Sequence, residues 1–468
     1  MAICGGLKRT GWPRVLRILN LVLGLARFAA AILLLYLALN WRSPLFASTR
    51  SPALVLSIAL PLALIGAEIL FWRISARWRP ATLVYGATAL VALLALAFTL
   101  TFELQFRWIR SEVLRADPAQ IEKLGRHLIV GYRTEAGLRD LVERRAVAGI
   151  FITAHNVRGK DADTIRRDIE AVQAIRRAQG LPPLLVATDQ EGGGVSRMSP
   201  PLPRPVTLGE IVRSHSDWNA RREAVRAYAA DVGRSLSGLG INLNFAPVVD
   251  LDHGVSNPND RYTRIGARAI SSDPKIVADV AGEYCRGLSR HGVHCTLKHF
   301  PGLGRVFEDT HLEHATLATP AEELTKSDWL PFKDLMQQKS MFTMLAHVRL
   351  AAIDRDRPAS FSAPVVSGLL RGDWKYDGIL VTDDFSMRAA YRSDGGLARA
   401  SISALNAGVD LILISYDPDQ YFPVVHALLR AQAQGGSAKG ALAGEALDRS
   451  NRRLSGVMGG LKAAVSAR

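Results

Sequence analysis

The sequence predicts an α/β protein, a (β/α)8 barrel of the TIM type preceded by three transmembrane α-helices. Three observations lead there. Apolar stretches of ~20 residues, long enough for a hydrocarbon core of ~30 Å, recur through the N-terminal part of the chain. From Ala116 onward, short aliphatic and β-branched runs alternate with amphipathic helical stretches. Polar residues then gather just after several of those runs, where this architecture places its chemistry.

The apolar stretches are Ile18 to Leu39, Pro52 to Trp72 and Thr82 to Thr101. A cleaved export signal would be a single shorter run followed by small residues, so the pattern reads as a membrane anchor over residues 1–110. Lys8, Arg9, Arg14 and Arg17 precede the first span, and Arg73, Arg77 and Arg79 lie between the second and third. Only Arg42 and Arg50 lie between the first and second. Basic residues favour the cytoplasmic side, so the N-terminus is expected inside and everything after the third span outside, in the periplasm or cell exterior. Arg27 and Glu68 fall within spans, where lone charges are costly, and are expected to pair.

The chain has 468 residues and a formal net charge of +15, from 58 Lys and Arg against 43 Asp and Glu. The charge suits an anionic surface or polymer, but the basic residues are dispersed and form no nucleic-acid motif. Nucleic acid is not expected as a partner; carbohydrate and the lipid bilayer are, and the sequence names no protein partner. Three cysteines, Cys4, Cys285 and Cys295, without a C-x-x-C, exclude a zinc ribbon or a disulfide framework. Cys285 and Cys295 are expected as buried thiols, with pairing left open if the domain is exported.

The soluble region, residues 116–468, contains eight strand-like runs. They are HLIVGY from His127, GIFITAH from Gly149, LLVATDQ from Leu184, INLNFAPVVD from Ile241, CTLKHF from Cys295, FTMLAHV from Phe342, GILVTDD from Gly378 and DLILIS from Asp410. Nearly continuous apolar strands alternating with helices imply a parallel sheet covered by helices. A doubly wound open sheet is the alternative, weakened by the lack of a G-x-G-x-x-G opening a helix. On a barrel, the strand ends deliver Asp189, Asp250, Lys298, His299, His347, Asp383 and Asp384 to one mouth.

Converging carboxylates beside Lys and His suit glycoside hydrolysis, in which one carboxylate attacks and a second group acts as acid and base. A metal site is the rival reading of such a cluster, but no H-E-x-x-H or other helical ligand pair is present, and no cofactor is expected.

The segments ATDQEGGGVSRM, NFAPVVDL, IGARAISSDP, LKHFPGLG followed by EDTH, MLAHV, DRPASFS and ILVTDDFSM, in this order, resemble the signature of glycoside hydrolase family 3. The branch they are most similar to is the single-barrel β-N-acetylglucosaminidases, over about His127 to Asp417. The resemblance implies that Asp383 is the nucleophile and Asp384 a structural neighbour. It implies that His311 is the acid/base and Asp309 the carboxylate orienting it, on a glycine-bearing loop able to swing. Asp189, Arg197, Arg268, Lys298 and His299 would bind sugar. Two positions depart from the family pattern: Leu303 stands where a His is usual, and Gly194 where an Arg is usual. They bear on substrate preference more than on the proposed catalytic groups. The implied function is a retaining exo-β-glycosidase that removes terminal N-acetylglucosamine from cell-wall-derived or other glycans. A β-glucosidase or β-xylosidase of the same family and a non-catalytic glycan-binding barrel are the alternatives.

Overall fold

A computed structural model describes residues 14–75, 79–338, 341–393, 395–434 and 440–466. Cys4 and the flanking charges Lys8, Arg9 and Arg77 lie outside them. The chain divides into two units, Met1–Ser111 and Glu112–Arg468.

The first unit holds α1 (Arg14–Leu39), α2 (Arg50–Ser75) and most of α3 (Arg79–Arg115). All three are long and apolar enough to cross a membrane, which marks the chain as membrane-associated. The third helix runs past the apolar stretch ending at Thr101, because the following residues are mostly good helix formers with no glycine or proline among them. Polar groups inside this unit find one another. Arg27 Nε donates to Glu68 Oε1 at 2.6 Å, and the Arg27 guanidinium lies 4.4 Å from the Phe71 ring centre. Arg50, almost fully buried, donates to the carbonyls of Trp41 and Ser43, serving backbone acceptors that the turn after α1 leaves open.

The second unit is a closed barrel of eight parallel strands. They are β1 (Leu128–Val130), β2 (Gly149–Phe151), β3 (Leu185–Thr188), β4 (Leu243–Asn244), β5 (His294–Phe300), β6 (Phe342–Leu345), β7 (Leu380–Asp384) and β8 (Leu411–Ile414). Each falls on one of the eight runs read from the sequence. Sequential strands pair throughout, and β1 closes on β8 with Leu128 opposite Ile412.

Strand alternation sorts the core into two layers. Ile129, Phe151, Leu185, Ala187, Phe342, Met344, Val381 and Leu413 fill the barrel interior, where Phe151 and Phe245 stack at 5.6 Å. Leu128, Val130, Val186 and Ile412 face the other way and pack against the helices. The helix Gly444–Ser466 places Leu454 and Met458 against the interior layer, at the end where the strands begin. Arg453 Nε fixes it by donating to Asp410 Oδ1 at 2.8 Å, and Ser450 Oγ approaches His127 Nδ1 at 3.3 Å. One end of the barrel is therefore stoppered, and the opposite end carries the loops.

Cys285 and Cys295 form a disulfide that joins helix Pro274–Ser289 to β5, correcting the expectation of buried thiols. Both side chains are buried as expected, but helix and strand meet closely enough to bond them. A second feature not read from the sequence is a parallel pair of short strands, Ala315–Leu317 and Val348–Leu350, beside the loops.

Candidate active site

The C-terminal ends of the strands converge as the barrel requires. Lys298, near the end of β5, is buried, and its Nζ donates to Asp189 Oδ1 at 2.9 Å and meets Glu191 Oε1 at 2.5 Å. Arg268, ending the short helix Ile265–Arg268, grips both oxygens of Glu191 at 2.7 and 2.8 Å. Two cations and two carboxylates thus form a floor in which Lys298 and Glu191 are buried and Asp189 and Arg268 half-buried. Burial alone would lower the Lys298 pKa, but Asp189 and Glu191 overcome it and raise it. Burial alone would raise Glu191, yet Arg268 and Lys298 drive it well below the usual carboxylate range.

Glu191 was not singled out in the sequence. Its partners are 77 and 107 residues away in the chain, and only the barrel closure brings them together. The available signal was its place two residues after Asp189 at a strand end.

His299 was expected to donate to sugar, but both of its ring nitrogens have protein partners. Nδ1 lies 2.7 Å from Asp250 Oδ2, and Nε2 lies 3.3 Å from Arg268 Nη2. Asp250 also accepts from the His299 and Leu303 backbone amides, so it anchors the strand end and the start of the next loop. Arg197 is exposed; its backbone amide donates to the Asp189 carbonyl, but its guanidinium makes none of the described contacts at the floor. The expected sugar binders therefore split: Asp189, Lys298 and Arg268 are joined through Glu191, His299 supports them, and Arg197 stands apart.

Asp383 is the penultimate residue of β7 and is half-buried. Burial pushes its carboxyl upward, but the imidazoles of His299, His347 and His311 outweigh that and hold it below the ordinary aspartate range. Asp384 does different work. It accepts from the amides of Ser386, Ser415 and Tyr416 and from the Ser415 hydroxyl, pinning the loop after β8. His347, buried after β6, lies between Ser360 Oγ at 2.7 Å and the Asp384 carbonyl at 3.1 Å. Its burial lowers its pKa despite the nearby carboxylates, and it braces the β7 end.

His311 arrives on the loop after β5. Its Nδ1 faces Asp309 Oδ1 at 3.3 Å, leaving Nε2 as the nitrogen able to reach a substrate. Asp309 is buried and accepts from the amides of Arg261, Tyr262 and His311 and from the Thr263 hydroxyl. Burial would raise its pKa, but His311 and these donors lower it strongly. The loop is docked: Arg388 donates its backbone amide to the His311 carbonyl, and its guanidinium reaches the Leu312 carbonyl.

The local sequence explains the loop's path. A Cβ on Gly304 would lie 1.8 Å from the Leu251 carbonyl oxygen, and Gly302 has φ +110°, a conformation that side chains disfavour. Leu303 between them is buried, and its amide is held by Asp250, so the departure from the usual His leaves the loop anchored. A Cβ on Gly194 would meet open space. No cluster of three or more His, Cys, Asp or Glu able to hold a metal ion occurs among the described residues.

The Asp383 carboxylate on β7 and the carboxylate-oriented imidazole of His311 on the loop after β5 belong to one mouth of the barrel, where Asp189 and Lys298 also lie at the ends of their strands. Breaking a glycosidic bond in two displacements calls for that pairing, which defines the class as glycoside hydrolase. Residues 120–457 match the profile of the glycosyl hydrolase family 3 N terminal domain, and the chain belongs to that family.

A β-hexosaminidase of Xanthomonas euvesicatoria pv. vesicatoria is 34% identical over 289 residues, covering 62% of this chain and 82% of that protein. β-Hexosaminidase LpqI of Mycobacterium tuberculosis is 35% identical over 311 residues, covering 64% of this chain and 75% of its own length. A glycoside hydrolase family 3 β-N-acetylglucosaminidase from Paenibacillus sp. superposes with a TM-score of 0.65 at 30% identity. That match covers 73% of this chain and 62% of the Paenibacillus chain, so this chain spans less than two thirds of that protein.

Proposed function

We propose that this protein is a retaining exo-β-N-acetylhexosaminidase, anchored in the cytoplasmic membrane by three crossings, with its barrel on the outer side. Its substrate would be a glycan ending in N-acetylglucosamine, derived from the cell wall or another source. The observation that carries the reading is the Asp309–His311 dyad, Nδ1 to Oδ1 at 3.3 Å, docked through the Arg388 amide onto the segment that follows Asp383. The β-hexosaminidase relatives favour the N-acetyl sugar over plain glucose or xylose.

In the first step the Asp383 carboxylate attacks the anomeric carbon while His311 gives its proton to the departing oxygen, leaving a glycosyl ester on Asp383. In the second, His311 takes a proton from water, which attacks the same carbon and releases Asp383. Asp309 remains ionised throughout and holds the imidazole in place, the duty that the carboxylate has in a hydrolytic triad. Asp189, Lys298 and Arg268 would meet the sugar hydroxyls. The mechanism calls on no cofactor.

The test is turnover of an aryl β-N-acetylglucosaminide by the full chain in detergent, beside the aryl β-glucoside. Expected is hydrolysis of the N-acetyl substrate, lowered at least about a thousandfold by Asp383→Ala. Activity on the glucoside alone would overturn the substrate, and silence on both would leave a glycan-binding barrel.

A further inference from the structure

The soluble unit exposes few large apolar side chains among its described residues: Val206, Trp218, Val255, Tyr262, Phe307 and Tyr416. Four of these six sit on loops at the mouth. Val255 and Tyr262 follow β4, Phe307 follows β5, and Tyr416 follows β8. Scattered exposed hydrophobics need no explanation, but three aromatics, each 56% exposed, around one opening do.

Two of them belong to the loops that hold His311 and Asp309. The Tyr262 ring lies 5.5 Å from the His311 imidazole, and its amide is one of the donors to Asp309. Phe307 is four residues before His311 on the same loop. Its carbonyl accepts from Asn257 Nδ2 at 2.8 Å, which ties the loop after β5 to the one that carries Tyr262. Both loops are held while both rings remain uncovered. Resting on the reading of His311 as acid/base, we propose that Tyr262 and Phe307 form the subsite for the aglycone. Its ligand is a second pyranose ring, β-linked to the terminal N-acetylglucosamine.

The chemistry follows from position. The group that protonates the glycosidic oxygen must lie beside the departing sugar, so the surface next to His311 is the surface that sugar covers. A pyranose presents a face of C–H bonds that packs on an aromatic ring, while its hydroxyls stay in water at the rim. A partly buried floor for the first sugar and an exposed aromatic shelf for the second suit an enzyme that cuts one terminal residue from a chain.

The experiment compares kcat/KM for two substrates of the full chain in detergent. One is the β-1,4-linked disaccharide of N-acetylglucosamine. The other is methyl β-N-acetylglucosaminide, whose leaving group also needs a proton but has no ring. Damage to His311 lowers both, so the ratio reports the aglycone contact alone. Tyr262→Ala and Phe307→Ala are each expected to lower the disaccharide-to-methyl ratio about tenfold, and Tyr262→Phe to retain it. If an alanine variant fails to fold, Tyr262→Leu and Phe307→Leu keep the apolar bulk without the aromatic face and give the same reading. A ratio unchanged in these variants overturns the subsite. A wild-type chain idle on both substrates overturns the parent reading and the subsite with it.

Discussion

Both oxygens of Glu191 are engaged by cations, and that makes it the residue whose loss should be felt furthest. Substitution by Gln would leave Arg268 and Lys298 with one carboxylate, Asp189, between them. Removing one partner of a buried ion network costs about 3–5 kcal/mol, so Glu191→Gln is expected to lower the melting temperature and weaken sugar binding together. The pH dependence has a definite sign. Glu191 has its pKa depressed in the folded state, so its stabilisation is complete above the unfolded value of about 4.3 and fades as pH falls toward the folded one. Wild type and variant should therefore differ most at pH 7 and converge in acid. Thermal unfolding followed by circular dichroism from pH 7 to 3 checks this, and a constant gap would remove the ion network from the explanation.

At the scale of elements, the eight strands were legible because parallel strands buried on both faces are apolar throughout, whatever their neighbours. The charged residues at the ends of β3, β5 and β7 were legible for a related reason: Asp189, Lys298 and Asp383 abut apolar runs. What the sequence concealed was pairing. Nothing near Glu191 announces Arg268, and nothing in the tail announces that Leu454 and Met458 stopper the barrel. The partners of His299, Asp250 and Arg268, were hidden in the same way, 49 and 31 residues distant. The cysteines were misjudged because chain spacing does not say whether a helix end and a strand start will meet. Their bond closes a short loop, 10 residues in sequence separation, so Cys285→Ser with Cys295→Ser is expected to cost about 2–4 kcal/mol with little change in turnover. Melting temperature and kcat of the double variant, measured together, test that; lost turnover at unchanged stability would place the pair in the site's mechanics.

The whole molecule combines a membrane unit with a barrel that carries a disulfide, and such bonds persist in oxidising compartments. The outward-facing barrel proposed above would place that bond in such a compartment. A C-terminal alkaline phosphatase fusion should be active in cells, and a C-terminal green fluorescent protein fusion dark; the reverse pattern would put the barrel in the cytoplasm. The helix Gly444–Ser466 then has a bearing on how the protein is made. β1 waits for β8, and the barrel interior for Leu454 and Met458, which lie more than three hundred residues later in sequence. Contacts so distant form slowly, because a long loop must close before they stabilise anything. Ribosome and translocon must have delivered the chain as far as Met458 before the closed barrel can exist, so an outward-facing barrel would mature only after export. A chain stalled short of the helix Gly444–Ser466 would present an open, greasy cylinder to the quality-control proteases of that compartment.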